Sequence, residues 1–290
     1  MTQPLLVGRR SDLLVGGGPL WGLAQVSSAR LLRHDPQRGL VKTREDVARA
    51  AFGGDPVFLQ KVMWMSPDDL GWLSERCNTV YVLTDTVRPG VVERGRACRS
   101  SIVTGTEALE AFRAAGCRVR QMLQGFRPHV WRGPRTAPVV ARVAFTGSLR
   151  PPRDRWLEAL RKGGLEVDAR QAYASAAASF YRRSAACLCP GPIGDEDSFS
   201  NRLVRTMAAG GLPLHWDVPS VRRLFPCVPT WKDAADLVSL ARLYLGRPDA
   251  RSGVIADCTE AVKPYRWDLV ASRWLAFALG DDAVPHDGPA

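Results

Sequence analysis

The sequence has no run of about twenty apolar residues, the length a helix needs to cross a bilayer. Its opening, MTQPLLVGRRSDLL, has no long apolar stretch after the basic residues, so neither a membrane span nor a secretion signal is expected. It has no Cys-x-x-Cys pair. The seven cysteines, at 77, 98, 117, 187, 189, 227 and 258, cannot all pair within one chain, which points to reduced thiols rather than disulfides or zinc and, with the missing leader, to an intracellular protein. Histidine is scarce: of four, His34, His215 and His286 have no partner at ligand spacing. Lysine is scarce as well, since 35 of the 40 cations are arginine. No solenoid repeat and no low-complexity tract is present. What remains is 290 residues that are 46% hydrophobic and 24% charged, enough for a substantial core and suited to two domains of ordinary size. The net charge of +11 is uneven: residues 1 to 137 hold 20 cations and 12 acids, whereas residues 138 to 290 hold 20 and 17. A basic first half fits a face for polyanions, or a solvated arginine-rich surface.

Short apolar runs alternate with helical patterns, the signature of βαβ units and parallel sheets, so an α/β protein is expected. In the first half strands are expected at Leu13–Gly16, Pro56–Gln60, Thr79–Leu83 and Ser101–Thr104, and helices at Leu23–Arg33, Arg44–Phe52 and Asp68–Arg76. Ser66-Pro67-Asp68-Asp69 is a helix start, with a cap, a first-turn proline and acids at the positive end of the dipole. The stretch RPHVWRGPRTAP breaks the periodicity and reads as a linker. Beyond it, strands are expected at 139–145, 165–168, 186–189, 212–215 and 227–229, and helices at 154–162, 174–183, 201–209, 232–245 and 267–279. The division is residues 1–132, residues 138–265, and a segment 266–290 made of a helix packing back across the linker and a flexible tail. Two Rossmann-like domains in tandem would place the active site in an interdomain cleft, because open α/β sheets bind ligands at the carboxyl ends of their strands.

Several residues carry chemistry by position. The helix at 201–209 follows Asp197, Ser198 and Ser200, so its amide-rich start is an anion site suited to a diphosphate. Arg202 in its opening turn adds a bidentate phosphate contact, and Gly210-Gly211 end the helix. In LLVGGGPLWG, Gly17 and Gly18 let backbone amides approach an acceptor or a phosphate, although the pattern is not GxGxxG. Asp85, just past the strand TVYVL, is the candidate general base, with capping of the next turn or pairing with Arg88 as its structural alternative; Asp12, Glu93 and His129 are lesser candidates. Asp195, Glu196 and Asp197 spell acid-x-acid but also read as a solvated turn.

The segment SFYRRSAACLCPGPIGDEDSFSNRLVRTMAAGGLPLHWDVPSV resembles the donor-binding segment of B-fold (GT-B) glycosyltransferases, specifically the spore-maturation-like and phage-encoded branch. FLQKVMWMSPDDLGWLSERCNTVYVLTDTV and VAFTGSLRPPRDRWLEAL fit the same plan in order, and the likeness spans about residues 55 to 277. The resemblance implies a nucleotide-diphosphate sugar as donor, most simply a UDP-sugar, and an amino-terminal domain that binds the acceptor. It implies that Gly147, Ser148, Arg150 and Arg153 face the donor phosphates, alongside Ser200, Asn201 and Arg202. It aligns Asp197 with the first acid of the family's acid-x7-acid pattern; Arg205 stands where the family has a ribose-binding glutamate, and an arginine can only donate. No metal is required in such a scheme, with Mg²⁺ the alternative.

In the acceptor domain, Trp21, Trp64 and Trp72 are candidates to stack on a base or to pack in the core. Arg88, Arg94 and Arg96 are candidates to contact phosphates. With this charge, the phage-type resemblance implies transfer of a sugar onto a hydroxylated base in DNA, with DNA as partner and the host cytoplasm as location. The alternatives are a transferase acting on polysaccharide, lipid-linked glycan or virion protein, and a non-catalytic nucleic-acid-binding protein on a degenerate transferase scaffold.

Overall fold

The computed structural model describes residues 3–8, 19–33, 43–51, 53–60, 62–84, 87–131, 139–149, 151, 153–191, 197 and 200–287. It divides into two units, Met1–Gly125 with Arg266–Ala290, and Phe126–Tyr265.

The first unit is built on a six-stranded sheet of β1 (Leu5–Gly8), β2 (Arg30–Arg33), β3 (Pro56–Gln60), β4 (Asn78–Leu83), β5 (Ser100–Val103) and β6 (Val119–Gln121). Their spatial order is β2-β1-β3-β4-β5-β6 and every pairing is parallel. Strands β1, β3 and β5 are buried along their whole length, and β4 after its first residue, because both faces are covered. Alternate residues Leu5, Val7, Val57, Leu59 and Tyr81 meet α2 (Arg44–Ala50), α3 (Pro67–Ser74), α4 (Val91–Arg96) and α5 (Thr106–Ala114). Leu6, Phe58, Val80 and Ile102 point the other way, into Leu23 of α1 (Pro19–Val26) and the indoles of Trp267 and Trp274 in the final helix of the chain, Trp267–Ala278. Each such side chain contributes about 1.5–3 kcal/mol by leaving water. That final helix lies close along α1 because residue 22 is glycine: a Cβ there would stand 2.3 Å from the Trp267 carbonyl oxygen.

The α3 start is as its sequence implies, with Ser66 and Asp69 closing a reciprocal capping box and proline in the first turn. The expected helix Leu23–Arg33 is corrected. The helix ends at Val26, and Arg30–Arg33 pairs in parallel with Leu5–Gly8 as an edge strand. A four-residue run such as RLLR suits either conformation, and the free edge of β1 decides it. The strand β1 itself was not apparent in the sequence; the expected strand Leu13–Gly16 lies outside the described residues. The end of the chain also departs from the expected flexible tail. Asp282 receives Arg118 (2.8 Å), His286 Nδ1 accepts the Gln121 amide (3.1 Å), and buried Asp287 accepts from the Leu123 amide (2.8 Å) and Arg273 (2.5 Å). These contacts lay residues 281–287 along β6, the outer strand of the sheet.

The second unit carries α6 (Pro128–Trp131) and a five-stranded parallel sheet of β7 (Val140–Thr146), β8 (Val167–Arg170), β9 (Ser184–Cys189), β10 (Pro213–Trp216) and β11 (Thr230–Trp231), ordered β11-β10-β9-β7-β8. The expected strand at 227–229 is replaced by β11, whose pairing with the end of β10 fixes its place. One face packs against α7 (Arg153–Lys162) and α11 (Ala234–Gly246). The other helices are α8 (Ala174–Arg182), α9 (Asn201–Ala208), α10 (Pro219–Leu224) and α12 (Pro248–Ala261), the last followed by a 3₁₀ turn, Lys263–Tyr265. The final helix, Trp267–Ala278, is α13. The connection order reverses between β7 and β9, which makes the crevice at their carboxyl ends the natural ligand position of this sheet.

Candidate functional site

At that reversal the chain places an arginine. α9 begins at Ser200, whose extended backbone (φ −81, ψ 154) is that of an N-cap but whose side chain makes no capping bond to the helix. The buried side of the helix is Leu203, Val204, Thr206, Met207 and Ala208, which fixes its rotation against β9 and β10. Arg202 is thereby turned across the crevice. Its Nε donates to the Thr146 carbonyl (2.7 Å), and its Nη1 donates to the Pro190 carbonyl (3.4 Å) and Ser200 Oγ (3.3 Å). Thr146 ends β7 and Pro190 follows β9, so one guanidinium ties the two strand ends together. It also lies 4.8 Å over the Phe145 ring.

The remaining nitrogen, Nη2, faces Gly147. That residue has φ +135, and a Cβ built on it would stand 2.6 Å from Nη2. Both the backbone angle and the space therefore require glycine. Ser148 follows, with Arg153 Nη1 at 3.4 Å from its hydroxyl and 3.5 Å from its carbonyl. Below the crevice the Thr146 and Tyr181 hydroxyls bond to each other, and burial pushes the Tyr181 phenol up to about 12. Cys189 is likewise raised by burial, to about 11, and its thiol meets Thr206 Oγ1 (3.4 Å), so it is an inert packing group. His215 is buried at the end of β10; its Nδ1–H donates to the Trp216 carbonyl (2.6 Å). Burial, with Arg202 adding, lowers its pKa to about 4 and keeps the ring neutral.

The site residues expected from the sequence fall into three groups. Gly147, Ser148, Arg153, Ser200, Asn201 and Arg202 are together around the ends of β7 and α9, and Gly210 (φ +72) ends that helix. Arg205 lies one turn further along α9. Asp197 is engaged structurally: its Oδ1 accepts from the Ser220 amide (2.6 Å) in the first turn of α10. Asp85, Gly17, Gly18 and Arg150 lie outside the described residues, as does Asp12.

In the first unit, Trp21 packs against the core helices. Trp72 is covered by the guanidinium groups of Arg44 (4.7 Å) and Arg76 (4.1 Å). Arg94, expected as a phosphate contact, has its donors occupied by the protein. Nε reaches the Met65 carbonyl (3.0 Å), Nη1 that of Gly90 (2.7 Å) and Nη2 that of Met63 (3.4 Å), so it braces the loop after β3. Arg88 is exposed ahead of α4, as Arg96 and Glu93 are on it; His129 is exposed on α6 of the other unit. Among the described residues no group of three or more His, Cys, Asp or Glu side chains could hold a metal ion. Likewise, no helix among them is long and apolar enough to cross a membrane. Sequence reasoning missed Thr146, Tyr181 and Trp131, which no local pattern distinguishes from core residues.

No protein-family model and no curated protein matches the sequence. Solved structures do match in fold. The apo structure of OtsA aligns with TM-score 0.69 at 9% identity, covering 98% of this chain and 100% of that one. An α-glucosyltransferase in complex with UDP and a 13-mer DNA containing an HMU base aligns with TM-score 0.66 at 8% identity, covering 96% and 100%. AviGT4, a glycosyltransferase involved in avilamycin A biosynthesis, aligns with TM-score 0.62 at 14% identity, covering 94% and 96%. Two parallel α/β sheets in this order, matched over nearly the full length of these proteins, give the chain the GT-B fold of glycosyltransferases.

Proposed function

We propose that the chain is a glycosyltransferase that binds a nucleotide-diphosphate sugar in its second unit and passes the sugar to a hydroxyl acceptor. The observation that carries this is Arg202, which joins the ends of β7 and β9 while its Nη2 faces the glycine backbone that follows β7. A diphosphate in that crevice meets a guanidinium, the Gly147–Ser148 backbone and the positive end of α9, which together stabilise the negative charge that grows on the leaving group as the glycosidic bond breaks. Asp85, two residues beyond β4, is the proposed base for the acceptor hydroxyl, and a UDP-sugar is the proposed donor.

The favoured acceptor is a hydroxylated base in DNA. Two findings support it: the +8 balance of residues 1–137, and the α-glucosyltransferase of the same fold seen with UDP and DNA. Such a base leaves its stack to reach an enzyme site, while arginines such as Arg88 and Arg96 hold the backbone.

The test is incubation of the purified chain with UDP-glucose, and with hydroxymethylated or unmodified DNA, followed by nuclease digestion and mass spectrometry. A hexose mass on the hydroxymethylated nucleoside alone is the expected result. Sugar found only on glycan or protein in a parallel digest of cells producing the enzyme would move the acceptor elsewhere. A chain that neither transfers nor slowly hydrolyses any nucleotide sugar is not a transferase.

A further inference from the structure

Arg205 stands three residues beyond Arg202 on α9, so the two side chains neighbour each other on the helix surface. Arg202 has Nε and Nη1 committed to carbonyls. Arg205 is half-buried, and among the described residues it makes no hydrogen bond and no ion pair; its Nε is sealed from solvent without a partner. Its contacts are the Trp131 ring, 5.6 Å away, and the fields of Tyr181 and Arg202. Burial, reinforced by the like charge of Arg202, holds its pKa below the usual arginine range. Arg205 lies in the fields of Tyr181 and Arg202, and Tyr181, itself in the field of Arg202, has its hydroxyl bonded to Thr146 at the end of β7, so the second cation belongs to the same cluster as the first.

Among the described residues no carboxylate is bonded to Arg202 or Arg205, and two neighbouring guanidiniums so placed are an expensive arrangement. Desolvation and mutual repulsion both oppose it, and cation–π contact with Trp131 offsets only a small part of that cost. An anion supplied from outside reverses the balance, because a doubly charged oxyanion gains a charge-assisted hydrogen bond from each fork.

We infer that Arg205 is a second anion ligand of the site, gripping the diphosphate of the bound nucleotide together with Arg202. This rests on the donor-binding role proposed above and assigns a residue to it. An arginine here also cannot accept a hydrogen bond from a sugar hydroxyl, so recognition at this turn of the helix is of charge.

The experiment is calorimetric titration of the full chain, wild type, Arg205→Gln and Arg205→Lys, with UDP, UMP and inorganic pyrophosphate. Arg205→Gln is expected to weaken UDP and pyrophosphate at least tenfold and UMP less, narrowing the gap between diphosphate and monophosphate. Arg205→Lys, which keeps the charge but not the fork, is expected to lose several-fold. If Arg205 only props α9 against Trp131, Arg205→Gln lowers the melting temperature and weakens UDP and UMP alike, which overturns the inference. So does UDP affinity within twofold of wild type in either variant, and the lysine variant decides if the glutamine variant fails to fold. A wild-type chain that binds neither UDP nor pyrophosphate removes the proposed donor site as well, so the two failures are told apart by the unmutated protein.

Discussion

Arg202 has a mechanical and an electrostatic part to play, and they are separable. Mechanically it replaces what two strand ends lack at a sheet reversal, a common partner for their last carbonyls. Electrostatically it presents Nη2 to whatever lies over Gly147. Arg202→Ala should therefore lower UDP affinity at least tenfold, about 1.4 kcal/mol, while circular dichroism shows the α/β content retained; unchanged affinity in titration calorimetry would take this side chain out of the site. Arg94 and Arg96 give the converse contrast within one short helix. Arg94 spends its donors on three loop carbonyls, whereas Arg96 is exposed. Arg94→Ala is expected to lower the melting temperature by several degrees, through loss of two part-buried hydrogen bonds and one exposed one. Arg96→Ala is expected to leave it unchanged and to flatten the salt dependence of DNA binding by about one phosphate contact. A flat salt response in the wild-type chain itself would refute the assignment of Arg96.

At the scale of elements, the strap of residues 281–287 along β6 is pH-sensitive through His286. Its Nδ1 accepts the Gln121 amide, and its Nε2 lies 3.0 Å from Arg113 Nη2. Burial first, then the charges of Arg120 and Arg113, lower its pKa from about 6.5 to about 4. The folded state thus prefers the neutral ring: this contribution is complete above about pH 6.5 and is lost as pH falls toward 4. Asp287 works in the opposite sense, since burial raises its carboxyl and its protonation favours the fold in acid. Melting curves of wild type and His286→Gln between pH 7 and 4.5 separate the two. Wild type should lose more stability across the window than the variant; parallel losses would mean that the His286 contact is not made. Elements also show how much was legible beforehand. Ser66 to Asp69 announced α3 because a capping box is a local motif, completed within four residues. Strand Arg30–Arg33 was not legible, because its conformation depends on a partner 25 residues earlier.

At the scale of the molecule, the candidate site is shaped by sheet order. Placing β7 between β8 and β9 brings Thr146 and Pro190, 44 positions apart in sequence, within reach of one guanidinium. The helix-start chemistry around Ser200 was readable, because caps and glycines act over one turn; the Thr146–Tyr181 hydroxyl pair under it was not, since only packing of α8 against β7 joins those residues. The charge asymmetry was also readable, and it bears on acceptor choice through long-range fields rather than through any contact.

By itself the sequence determined the α/β class, the capped start of α3, the short parallel strands and the arginine at the head of α9. All of these follow from periodicity or from chemistry confined to a few neighbouring residues. Tertiary structure alone decided that Arg202 spans two strand ends, that Arg94 braces a loop instead of facing solvent, and that the last residues lie along β6. Those outcomes depend on contacts between segments far apart in the chain, where hydrogen-bond partners are assigned by sheet order and by the competition for buried carbonyls.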